Sequence, residues 1–110
     1  MVFGLLLVAA PAAATGVGGF KTGATLWQLY EKGPAGRAEQ RAYVVGVLDA
    51  ERIVAAFAGF RSPIRLPPGL DPVALGVRVH EWLGRHRERL DQQAANLVLV
   101  ATKESYPCPR

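Results

Sequence analysis

Few residues in this chain have the means to do chemistry: one cysteine, two histidines and nine carboxylates. Cys108 stands near the end, in Tyr106-Pro107-Cys108-Pro109-Arg110. A nucleophilic thiol wants a helix N-terminus or a cationic pocket with a histidine base. A proline-rich tail signals neither. His80 and His86 are six apart, which sets them about 240° apart around a helix. They cannot share a face, and the zinc pattern of two histidines at i, i+4 is absent. His80 reads as a boundary residue of a helix and His86 as exposed at its end. Asp71 and Asp91 read as helix caps, and Glu81 with Arg85 as an i, i+4 ion pair. Asp49 carries two readings. It belongs to a solvent-facing stripe with Arg52 and Ala56, or it is a partly buried acid bonded to backbone or to a dimer partner. Gly18-Gly19 leads into no strand–helix phosphate cradle. No nucleophile, base and orienting group assemble, so no catalytic, cofactor or metal residue is assigned. The chain reads as a binding protein, not an enzyme.

The elements that must position these residues are helical. Thr22 reads as the N-cap of a short helix, Gly23 to Glu31, with Leu26, Leu29 and Tyr30 at helical spacing. A long helix follows, Ala35 to Ala58. Val44, Val47, Leu48, Val54 and Ala55 form one apolar stripe, and Tyr43, Ala50, Ile53 and Phe57 a second. A helix apolar on two faces is central or is covered by another chain. Gly59 to Leu70 is a breaker segment in which Pro67, Pro68 and Gly69 favour an extended loop over a strand at Ile64-Arg65-Leu66. Asp71-Pro72 opens a third helix to Arg85, with Val73, Val77, Val79, Trp82 and Leu83 as its apolar side. Gly76 inside it costs about 1 kcal/mol relative to alanine, which a close helix crossing would justify. Asp91 then opens a last helix to Ser105, with Ala94, Leu97, Val98 and Ala101 at i, i+3, i+4, i+7. The expected fold is all-α, a compact bundle of about four helices. Its surplus of apolar faces points to a homodimer.

At the start, Val2 to Ala10 is apolar but too short for a bilayer, which takes about 20 residues. Ala12-Ala13-Ala14 suits signal peptidase, so residues 1–14 read as a signal peptide and 15–110 as the single domain. No Lys or Arg precedes the run; a buried first helix is the other reading, opposed by Gly4 and Pro11. Every charge lies after the cut, and the net charge of +4 is mild. A helix-turn-helix DNA binder would need a basic recognition helix, but the last helix carries only Lys103. Neither nucleic acid nor, after cleavage, membrane is expected as a partner.

Five segments together resemble one family. Phe20-Lys21-Thr22-Gly23-Ala24-Thr25-Leu26 resembles its opening, and Tyr43-Val44-Val45-Gly46-Val47-Leu48-Asp49-Ala50 its central helix. Ile64-Arg65-Leu66-Pro67-Pro68-Gly69-Leu70 resembles its Cys-Leu-Pro-Pro-Gly loop. Val77 to Leu90 resembles its helix and His-Pro-Glu turn, and Ala94 to Cys108 its closing helix and Phe-Pro-Cys end. The family is the Rap/Tai immunity family, the resistance-associated and type VI amidase immunity proteins. The resemblance implies a periplasmic, all-helical, usually dimeric protein. Such a protein binds a type VI secretion effector, typically a peptidoglycan amidase, and blocks its active site. Family members commonly carry four cysteines; here Tyr30, Arg41 and Arg65 stand in place of three. By the resemblance, Cys108 is half of a structural pair whose other half is now Arg65. Gly46, Asp49, Pro67, Pro68, Gly69 and Cys108 are its structural positions.

Occlusion of a catalytic cleft requires only a rigidly displayed loop or helix end. The expected effector-binding turn is Arg85, His86, Arg87, Glu88, Arg89 and Asp91, whose arginines would pair with acidic groups and steer association. The competing reading is a solvated helix end. The loop Arg61 to Leu70 is a second candidate, read otherwise as a packed connector. A periplasmic helical adaptor or scaffold without a toxin partner is the rival function.

Overall fold

The computed structural model describes residues 19–109; the expected leader lies outside them. Four helices follow in order: α1 Gly23–Glu31, α2 Pro34–Ala58, α3 Pro72–Arg85 and α4 Ala94–Ser105, with a short 3-10 turn Arg87–Arg89 before the last. The all-α expectation holds. Thr22 caps α1, its hydroxyl accepting from the Thr25 amide at 3.2 Å. Gly33 and Pro34 separate α1 from α2, with Pro34 at a position that needs no amide donor. Asp71 caps α3 by accepting from Val73 N at 2.9 Å.

Asp91 caps nothing. The last helix begins at Ala94, and Gln93 precedes it without a side-chain cap. A tertiary bond replaces the cap: the Ala94 amide donates to Lys21 O at 2.9 Å. The lead-in to α1 thus satisfies a donor that the sequence assigned to a local carboxylate.

The core gathers Leu26, Leu29, Val44, Leu48, Leu75, Val79, Trp82, Leu83, Leu97 and Val98 from all four helices. The stripe of α4 is buried as expected. In α3, however, Val73 is half exposed and Leu75 takes the core position. Gly76 has the reason expected of it. A Cβ there would sit 2.8 Å from Gln40 Oε1, and the buried Gln40 side chain donates to Gly76 O at 3.0 Å. A larger residue here would have to displace the Gln40 amide from its bond to Gly76 O.

The segment after α2 is extended and pairs with the tail. Ile64 and Pro107 form an isolated antiparallel bridge. Arg65 N donates to Tyr106 O at 2.9 Å and Cys108 N to Pro63 O at 3.1 Å. Leu70 N closes a turn on Pro67 O at 3.2 Å. Gly69 has φ +72° there, the left-handed position that glycine fills in a type II turn.

Candidate functional site

The segment from Arg85 to Asp91 is held at both edges. His86, at φ −131° and ψ 47°, ends α3. Arg89 N then donates to His86 O at 2.9 Å and Gln92 N to Arg89 O at 3.0 Å. On its far side the turn offers two carbonyls to the start of α1. Ala24 N donates to Leu90 O at 2.8 Å and Gly23 N to Gln92 O at 2.9 Å. Two of the amides that every helix start leaves unpaired are thereby used to fix the turn.

Side chains fix it further. The His86 ring stacks on Trp82 at 3.8 Å and 14°, and its Nδ1 donates to Trp82 O at 2.8 Å. Trp82, fully buried, donates through Nε1 to Glu104 Oε1 at 2.8 Å. Arg89 lies 5.4 Å over the Trp82 ring, and Arg87 lies 5.0 Å over Trp27. His86 is therefore packed, not the freely exposed residue expected. Arg85, Glu88 and Asp91 are exposed at the tip.

Trp27 opens a longer column. His80 is sandwiched between Trp27 at 3.9 Å and 20° and Tyr30 at 3.9 Å and 18°. Arg37 covers the outer face of Tyr30 at 5.2 Å. The order is Arg37, Tyr30, His80, Trp27, Arg87, with a cation at each end. His80 Nε2 donates to Glu31 Oε2 at 2.8 Å, while Nδ1 is buried without a partner. Burial holds the imidazole below its ordinary range, and the bond to Glu31 only partly opposes this. The ring is neutral and serves as a packing plate. Among the described residues the expected Glu81–Arg85 ion pair does not form, and the acid that meets the column is Glu31, through its hydrogen bond with His80.

The remaining expected residues lie elsewhere. Asp49 is exposed beside Arg52, the solvent-stripe reading. It borders an apolar groove of about 270 Å³ with Leu66, Pro67 and Leu70. Gly46 is exposed on α2, and a Cβ there would meet nothing. Among the described residues nothing packs over it. Cys108 is half-buried and unpaired. Its backbone partner is Pro63, and its side chain shares a pocket with Arg65 rather than facing Pro67 and Pro68.

The expected second stripe of α2 is uncovered beyond Tyr43, which packs against the core. Ile53 is 57% exposed and Phe57 89%, and Val54 of the first stripe joins them at 56%, with Phe60 beyond at 50%. An apolar groove of about 390 Å³ runs beside it, lined by Val47, Ala50, Val54, Phe60, Ala95 and Leu99, with Glu51 at its edge.

Sequence reasoning found the turn and missed its supports. Trp27 and Tyr30 are three apart on one helix, the spacing that makes a shared face. That was a legible signal. Their partner His80 lies on α3, and nothing local links the two.

No curated protein matches this chain. A family model described as Rap1a immunity proteins matches residues 22–108, from the cap of α1 to the cysteine paired against the loop. The match spans all four helices and the turn, and the chain belongs to the Rap1a immunity protein family.

Proposed function

We propose that this immunity protein acts in the periplasm. There it binds a type VI secretion effector, a peptidoglycan amidase, and occludes its catalytic cleft with the turn Arg85–Asp91. The observation that carries this reading is the immobilisation of that turn. It combines three arginines, Arg85, Arg87 and Arg89, with a backbone bonded to α1 and side chains laid on Trp27 and Trp82. A loop already ordered loses less entropy on binding, and arginine on an aromatic plate is a common anchor. Inhibition of this kind requires no chemistry from the inhibitor.

The active form is a homodimer through α2. Ala42, Gly46, Ala50 and Val54 recur every four residues and are all exposed. Small residues at that spacing let two helices cross closely, and Ile53 and Phe57 would flank the crossing. The empty space at Gly46 then has a purpose. Expressing the amidase in the periplasm with and without this protein tests the function. Rescue of growth supports it. Lysis regardless of the immunity protein overturns it.

A further inference from the structure

A second basic feature lies away from the turn. Between the end of α2 and the loop after it is a pocket of about 430 Å³. Arg52, Arg61 and Arg65 line it, and no carboxylate does. Asp49, one turn before Arg52, borders the neighbouring groove, which Arg52 also lines. None of the three guanidinium groups lies within 4.0 Å of a carboxylate among the described residues. Three like charges around one concavity repel each other, and the low-dielectric wall focuses their field on whatever enters. The rest of the lining is apolar in the main: Ala55, Phe60, Ile64 and Leu66.

The pocket is built on fixed backbone. Arg65 N is bonded to Tyr106 O at 2.9 Å. The Ser62 hydroxyl accepts from Ile64 N at 3.1 Å, shaping the strand between Arg61 and Arg65. Guanidinium forks match planar carboxylates two bonds at a time, and the apolar wall suits a hydrocarbon stem rather than a bare inorganic ion.

We infer that this pocket is an anion site that takes a carboxylate on an apolar stem, the chemistry of an acidic side chain or a peptide's terminal carboxylate. The inference is independent of the effector reading, and its test contains no effector. The purified chain is titrated calorimetrically with the peptide N-acetyl-Ala-Leu-Glu, with the uncharged N-acetyl-Ala-Leu-Gln amide, and with inorganic phosphate. The acidic peptide binds once per chain, at least about tenfold tighter than either control, and more weakly as salt rises. Arg61→Gln and Arg65→Gln each lower its affinity about tenfold, the scale of a lost charge-assisted bond. Arg65→Lys keeps the charge, loses the fork and falls between. Both positions are exposed, so melting curves of these variants match the parent. Equal binding of the neutral amide overturns the inference. So does tighter binding of phosphate, unaltered affinity when Arg61→Gln and Arg65→Gln are combined, or no binding of the acidic peptide.

Discussion

The guanidinium of Arg87 lies 5.0 Å over the ring of Trp27, joining the turn after α3 to the first helix across 60 positions of sequence. Trp27 is also one plate of the His80 sandwich. Removing it unstacks both neighbours. Trp27→Ala is expected to cost about 2 kcal/mol, below the 3–5 of a fully buried tryptophan because the ring is only partly buried. Urea unfolding followed by circular dichroism measures it. A loss under about 0.5 kcal/mol would mean that the column adds nothing to stability.

His80 makes stability depend on pH in a definite direction. Its pKa is lowered in the fold, chiefly by burial. The unfolded chain therefore takes up a proton first as pH falls. The stability from a neutral His80 is fully present above about pH 6.5 and is lost as pH drops toward the lowered folded value. His80→Phe keeps a ring between Trp27 and Tyr30 and cannot titrate. Unfolding free energies between pH 8 and 5 should decline more steeply for the parent than for His80→Phe. Parallel curves would show that His80 does not titrate differently in the two states.

The fold was largely legible because it rests on local rules. Thr22, Asp71 and Pro72 start helices wherever they stand, and the α4 stripe could bury only one side. Asp91 failed as a cap because the donor it was to satisfy is taken by Lys21 O, more than 70 residues away. The site was half legible. Arg87 and Arg89 announced themselves by charge, whereas the aromatic rings beneath them come from two helices that only tertiary packing unites. Gly46 was read as structural, yet among the described residues a Cβ there would meet nothing.

That emptiness leads to a test of the dimer. Phe57, almost fully exposed, lies on the same uncovered face. With the proposed α2 dimer, the parent should sediment as a dimer at micromolar concentration and Phe57→Glu as a monomer, with the helical signal unchanged. Gly46→Leu should weaken the dimer by filling the crossing. A parent that sediments as a monomer contradicts the assignment of this face.

The tail is held by backbone bonds to the loop and by Tyr106 packed against the core. With one cysteine, the chain cannot form an internal disulfide. Reducing agent should leave the melting temperature of the monomer unaltered, and Cys108→Ser should lower it little. A marked drop on reduction would reveal a Cys108–Cys108 bridge between chains.

The central claim is that the Arg85–Asp91 turn holds the effector. Calorimetric titration of the cognate peptidoglycan amidase into the parent and into a variant with Arg85, Arg87 and Arg89 changed to Glu tests it most directly. The parent should bind tightly. The variant should bind at least about a hundredfold more weakly, as expected from losing an interface arginine cluster, with its circular dichroism unchanged. Equal affinity of the two proteins would contradict the claim and place the effector on another face.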